Sequence, residues 1–314
     1  MGKTAFVFPG QGSQYVGMGR DLAATFPGAK GMFAQADRKL AFPLSQFIFE
    51  GPEEQLKRTE NTQPALLTIS AILYRLLKQK GAEADFFAGH SLGEYTALYA
   101  SSVLDFESAV YAVRRRGLLM EEAVPAGKGT MAAVLGLDPD TIAAICRRVS
   151  KSQPVQPANF NCPGQVVISG STEGVEAASK ACRSAGARRV VPLAVSGPFH
   201  SSLMKPAAVK MKDVLDGLTW HDARYPIIAN STAEPEEKAA AIREHLIEQL
   251  YSPVRWSESV KRLVALGVDT FVEVGPGRVL SGLIRKIYRG LTILQVNNVE
   301  TLNRTIEKLK ERAV

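Results

Sequence analysis

Cysteine is scarce in this chain: Cys146, Cys162 and Cys182 are the three in 314 residues. An odd number without C-x-x-C spacing excludes a disulfide framework and a cysteine-zinc site. Each is expected as a small core side chain in a reducing cytoplasm. Long hydrophobic runs are missing too. None approaches the roughly 20 apolar residues of a membrane span. The run Ala5-Phe6-Val7-Phe8 is too short for the core of a secretory signal, and Phe6 stands where a myristoylation motif wants Ser or Thr. Basic stripes interleaved with aromatics, the mark of a nucleic-acid surface, are absent. Two glycine turns, Gly10-Gln11-Gly12 and Gly275-Pro276-Gly277, lack the third glycine of a dinucleotide fingerprint. There is no internal repeat and no low-complexity tract.

What remains is a globular composition, 46% apolar and 22% charged, in a chain long enough for a large domain and a smaller one. A net charge of +7 suits anionic partners, either coenzyme phosphates or an acidic protein. Gly89-His90-Ser91-Leu92-Gly93 fits the G-x-S-x-G nucleophile elbow. That pattern also occurs in ordinary turns, so its setting decides. Residues 86–89 read as a short apolar strand. Residues 94–100 read as a helix start, with an acid in the first turn where the dipole favours it. Strand, turn and helix in that order make Ser91 a candidate nucleophile. Residues 4–8 form another expected strand. The glycine turn after it is either a plain tight turn or a loop presenting N–H groups to an oxyanion.

From Gly129 the pattern changes. Strands are expected at 130–135, 155–159, 165–169 and 189–195, with helices at 138–151 and 173–185. That βαββαβ order is the ferredoxin-like split-βαβ motif, and glycine joints at 127–129 and 196–198 bracket it. The expected architecture is α/β: residues 1–127 and 197–314 form a large domain, and residues 128–196 a ferredoxin-like small domain inserted into it.

A serine nucleophile needs a base, and the chain offers four histidines. His90 adjoins the serine, so its ring is badly placed to reach back. His221 lies in a polar turn. His245 sits beside Arg243 and Glu244 on a helix flank expected to be solvated. His200 follows a strand and a Gly-Pro turn, where loops present side chains to a site, and becomes the candidate base. The helix expected at 106–124 carries Arg114-Arg115-Arg116. At about 100° per residue, Arg114 and Arg115 fall on the polar side with Glu121 and Glu122. Arg116 instead projects into the stripe of Ala109, Val113, Met120 and Val124. A guanidinium there needs an anion. A substrate carboxylate held bidentately and a buried structural Asp or Glu are equal candidates on periodicity alone. Gln249 falls on the inner stripe of a helix at 236–251, where it must be hydrogen-bonded, for structure or to orient the base. Gln63 precedes Pro64 at the start of an apolar helix and reads as a capping or loop residue, with a site role left open.

In chain order, Pro9-Gly10-Gln11-Gly12-Ser13-Gln14, Thr62-Gln63-Pro64-Ala65, Gly89-His90-Ser91-Leu92-Gly93-Glu94-Tyr95, Arg116-Gly117, Gly197-Pro198-Phe199-His200, Gln249-Leu250-Tyr251-Ser252-Pro253-Val254 and Glu273-Val274-Gly275-Pro276-Gly277 form an ordered set. The set resembles, nearly end to end, the malonyl-CoA:acyl carrier protein transacylases of bacterial fatty acid synthesis and the acyltransferase domains of polyketide synthases. The resemblance implies an α/β-hydrolase-like large domain with a ferredoxin-like insert. It implies malonyl transfer from malonyl-CoA to the phosphopantetheine thiol of acyl carrier protein through a malonyl-serine intermediate, feeding fatty acid synthesis. A stand-alone acyltransferase for a polyketide synthase and an acyl-thioester hydrolase are the alternatives. Ser91 would be the nucleophile, His200 the base, and the backbone carbonyl of Gln249 the group holding the His ring, in place of the usual Asp. The N–H groups of Leu92 and Gln11 would form the oxyanion hole. Arg116 would bind the malonyl carboxylate, Phe199 would crowd the carbon between the two carbonyls, and Gln63 would join the substrate site. Glu121 stands where many relatives have Gln, on the polar face. No metal and no cofactor beyond the two substrates would be needed. The acidic carrier protein would dock on Arg188-Arg189 and on Arg285-Lys286 with Arg289. A cytoplasmic monomer without nucleic-acid or membrane partners completes the expectation.

Overall fold

The computed structural model describes residues 2–125 and 127–313; Met1, Ala126 and Val314, which fall within the expected domain spans, lie outside the described residues. The strands, in chain order, are β1 (Lys3–Phe8), β2 (Phe86–Gly89), β3 (Gly129–Leu135), β4 (Val155–Cys162), β5 (Gln165–Ser171), β6 (Arg189–Pro192), β7 (Ile227–Ile228), β8 (Pro235–Glu236), β9 (Val268–Val274) and β10 (Thr292–Val296). They form two sheets. The first has the order β10-β9-β1-β2-β7-β8, parallel except at its β7–β8 edge. β1 has no polar alternation because both of its faces are covered. Phe6 and Phe8 enter one core with Tyr74 of the Thr59–Gln79 helix, while Ala5 and Val7 enter another with Trp256 and Val260 of the Trp256–Ala265 helix.

The second sheet has the order β4-β5-β3-β6 with every pair antiparallel. Its helices, Pro139–Val149 and Thr172–Ser184, pack on the face of Ala132 and Val134. The opposite face, with Met131, Ala133 and Val167, joins the large core. β6 stops at Pro192, short of the expected residue 195, although the Leu193 N–H just beyond it still donates to Met131 O at 3.0 Å. β4 runs through Cys162, so the turn is confined to Pro163 and Gly164. Backbone ties the second sheet to the segment just ahead of the Trp256–Ala265 helix: Val254 N–H donates to Ala158 O at 2.8 Å and Phe160 N–H donates to Val254 O at 2.9 Å. All three cysteines are buried and unpaired. No helix among the described residues is long and apolar enough to cross a membrane.

One helix departs from expectation. Pro64 suits a first turn, yet the helix starts five residues earlier, at Thr59. Pro64 therefore leaves the Glu60 carbonyl without its intrahelical donor. Arg114 Nη1 donates to that carbonyl at 2.8 Å, and Arg114 also lies over the Phe42 ring at 4.5 Å. Arg114 is thus a half-buried patch on a broken helix turn, not the solvated side chain expected. Gln63, expected as a cap or loop residue, is a buried helical residue pointing inward.

Candidate active site

Ser91 joins β2 to the Gly93–Ala100 helix with φ of 52°, in the left-handed region that side-chain-bearing residues rarely adopt. The turn closes only over glycines. A Cβ on Gly89 would lie 1.9 Å from the Gly93 carbonyl carbon, and one on Gly93 would lie 2.0 Å from Phe8 O. Side chains from distant segments satisfy the strained backbone. Ser91 N–H donates to Asn230 Oδ1 at 2.7 Å, Asn230 Nδ2 donates to Gly89 O at 2.7 Å, and Gln249 Nε2 donates to Ser91 O at 2.9 Å.

His200, also left-handed at φ 57°, places Nε2 2.7 Å from Ser91 Oγ and Nδ1 2.7 Å from the Gln249 carbonyl oxygen. A carbonyl only accepts, so Nδ1 carries the proton and Nε2 turns its lone pair to the serine hydroxyl. Burial, reinforced by the charge of Arg116, holds the His200 pKa down to about 3. The ring is neutral and in the tautomer a base requires.

Arg116 is 1% exposed. Its Nη1 donates to Gln63 Oε1 at 2.9 Å, and its Nη2 donates to Gln249 Oε1 at 2.9 Å and to Ser91 Oγ at 3.1 Å. The Tyr95 ring lies 5.7 Å away, and Nε has no partner among the described residues. Among the described residues the guanidinium forms no ion pair. The nearest approach to a structural carboxylate is indirect: Gln249 Nε2 donates to Glu94 Oε2 at 2.8 Å. Glu94 is itself 2% exposed, and burial pushes its carboxyl up to about 8.

Gln11, Gln63, Ser91, Leu92, Arg116, Phe199 and His200 line one narrow cavity, with Met131 and Asn159 of the second sheet forming the far wall. Gln249 sits one layer behind it. The backbone N–H groups of Gln11 and Leu92 donate to no acceptor among the described residues, as oxyanion donors must. His90 lines the same cavity, while His221 and His245 do not. His90 Nε2 meets Asn161 Oδ1 at 2.8 Å, and His221 is exposed. His245 pairs with Glu236, not with solvent as expected. Glu121 does more than face water: it accepts the Thr59 N–H at 2.9 Å and, with Glu60, forms a carboxyl pair in which burial first, then Glu121, pushes Glu60 up to about 7. Arg188, Arg189, Arg285, Lys286 and Arg289 are all exposed. Sequence reasoning missed Asn230 and Glu94. It also passed over Asn159 and Asn161, although two asparagines in a buried strand are themselves a signal, since strands deplete Asn.

A family model of the acyl transferase domain matches residues 5–310. The chain is 53% identical to the malonyl CoA-acyl carrier protein transacylase of Bacillus subtilis (strain 168), over 99% of this chain and 98% of that one. Identity to the enzyme of the same name from Escherichia coli (strain K12) is 47%, over 98% and 100% of the two chains. A malonyl-transacylase solved in complex with its type II polyketide synthase acyl-carrier protein superposes with a TM-score of 0.95 at 47% identity, covering 98% of this chain and 99% of that one. The malonyl CoA-acyl carrier protein transacylase from Coxiella burnetii gives 0.96 at 40%, covering 98% of each.

Proposed function

The chain belongs to the acyl transferase domain family, and from that premise we propose that it carries a malonyl group from malonyl-CoA to the phosphopantetheine thiol of acyl carrier protein by way of a malonyl ester on Ser91. One juxtaposition carries the reading: the hydroxyl bonded to His200 at 2.7 Å also lies 3.1 Å from a buried guanidinium that has no carboxylate of its own. His200 takes the hydroxyl proton as Ser91 attacks the thioester carbonyl. The N–H groups of Gln11 and Leu92 receive the developing oxyanion. His200 returns the proton to the coenzyme A sulfur as it leaves. The carrier's thiol then attacks the ester by the same steps in reverse. The acyl carboxylate pairs with Arg116, which Gln63 and Gln249 hold in place. Phe199 crowds the carbon between the carbonyls and disfavours a methyl branch. Nothing in this exchange between oxygen and sulfur needs a metal or a redox cofactor.

Residues 128–196 form, in this reading, a ferredoxin-like insertion in an α/β-hydrolase-like domain. The β4-β5-β3-β6 order and the βαββαβ succession support it. Fatty acid synthesis is the pathway the resemblance implies, in the cytoplasm. Intact-mass spectra after mixing with malonyl-CoA test the chemistry. A malonyl adduct is expected on wild type, discharged by holo carrier protein, and none on Ser91→Ala. Steady release of free malonate without carrier protein would make the protein a hydrolase. Transfer rates to purified fatty-acid and polyketide carrier proteins decide the pathway.

A further inference from the structure

A buried carboxyl, Glu94, stands directly behind Ser91. Glu94 Oε2 accepts from Gln249 Nε2 at 2.8 Å and from the Asn230 N–H at 3.1 Å. The same Gln249 amide accepts from Arg116 Nη2 at 2.9 Å. One side-chain amide is all that separates a buried carboxyl from a buried guanidinium, and neither has an ion-pair partner among the described residues. The charged and titratable groups around Glu94 come from five segments. Arg116 faces it from the Phe106–Glu122 helix, and Glu236 from β8, itself paired with His245 of the Ala239–Gln249 helix. Tyr95 is its chain neighbour, and His200 lies beyond Gln249. Burial raises its pKa most and Glu236 adds to that, while Gln249, Asn230 and Arg116 lower it.

Building on the malonyl reading above, we propose that Glu94 is the internal counter-charge displaced by the substrate: when an acyl carboxylate settles on Arg116, Glu94 takes a proton from solvent, so that binding a dicarboxylic acyl group is coupled to proton uptake. The reason is electrostatic. One buried cation cannot hold two carboxylates in a water-poor site without a large penalty, and neutralising the carboxyl that is already farther away is the cheaper arrangement. Gln249 and Asn230 keep their bonds, because the carbonyl oxygen of a protonated carboxyl still accepts. An acetyl group brings no charge and should bring no proton. Malonyl-over-acetyl preference should therefore shrink as pH rises.

The sign follows from linkage. With the free-state value near 8, Glu94 holds its proton in both states well below that pH, and uptake is small. Above it, uptake approaches one proton, and affinity for the malonyl group falls by up to about tenfold per pH unit. The experiment uses Ser91→Ala protein, which binds without reacting. Calorimetric titration with malonyl-CoA and with acetyl-CoA, in two buffers of different ionisation heat, is run at about pH 6.5 and about pH 9. Supporting results are uptake of most of a proton with malonyl-CoA at the higher pH, little at the lower, and none with acetyl-CoA. Ser91→Ala combined with Glu94→Gln should show no uptake and the same malonyl affinity at both pH values. Tight malonyl binding without uptake in Ser91→Ala, or uptake that survives Glu94→Gln, overturns the coupling. Malonyl-CoA binding no tighter than acetyl-CoA at the lower pH would overturn the substrate reading itself, and this inference with it.

Discussion

Two residues of the site, Ser91 and His200, hold backbone angles that cost energy, and Gln249 bonds the backbone of the first and the ring of the second. For His200 the consequence is measurable. Because its pKa is held down to about 3, the imidazole is already neutral below pH 6.5, and with His200 as the proposed base acylation should show no loss on descending from about pH 7 to pH 5, where an ordinary imidazole would protonate. Stability should behave oppositely. The unfolded chain binds the imidazole proton below about 6.5 and the folded chain does not, so this residue draws stability down as pH falls from there toward 3. Melting temperature against pH should fall less steeply in His200→Ala than in wild type, while that variant loses on the order of 10²–10⁴ in acylation rate. Arg116→Ala should lose malonyl transfer and narrow the malonyl-to-acetyl gap in kcat/KM. Arg116→Lys should recover it only in part, since an ammonium cannot make the two parallel bonds. Ser91, His200 and Arg116 were legible in the sequence because each is set by a local pattern: an elbow, a turn and a helical period. Asn230 was not, since nothing around it in the chain says that its amide will meet a serine backbone from β2.

Among the elements, the Gly93–Ala100 helix begins against the end of β1. Its first residue leaves no space between elbow and β1, so Gly93→Ala must push a backbone carbonyl aside. A loss of at least about 3 kcal/mol is expected, in the upper tail for a single substitution. Urea denaturation measures it, and labelling of Ser91 by a serine-directed fluorophosphonate should fall with it. Strands and helices of the second sheet were readable in kind and order, with ends off by up to three residues at β4 and β6, because their apolar periods are short and clean. The Thr59–Gln79 helix was not. Pro64 signals a start, and only Arg114, arriving from another helix to satisfy the Glu60 carbonyl, allows the helix to begin a turn earlier. Gln63 was misplaced for that reason. Local rules fail where a tertiary contact repairs the local defect.

At the scale of the whole molecule, the excess positive charge is carried partly by exposed arginines that have no acidic partner among the described residues: Arg188 and Arg189 at β6, and Arg285 and Arg289 near the Val279–Ile287 helix, with Lys286 between them. If an acidic carrier protein docks there, reversing these charges should slow transfer to the carrier and leave acylation by malonyl-CoA intact, and rising salt should mimic the reversal. Stopped-flow kinetics of the two half-reactions separate the effects. The backbone clamp on Ser91 has a consequence in time as well as in space. Asn230 and Gln249, which hold the nucleophile's turn, leave the ribosome long after it. Until Gln249 has been added, the turn at Ser91 lacks one of its two clamps and the His200 ring lacks the carbonyl that orients it. The growing polypeptide is therefore expected to stay chemically silent until then, and to gain a reactive hydroxyl only when the segments that enclose it have also arrived.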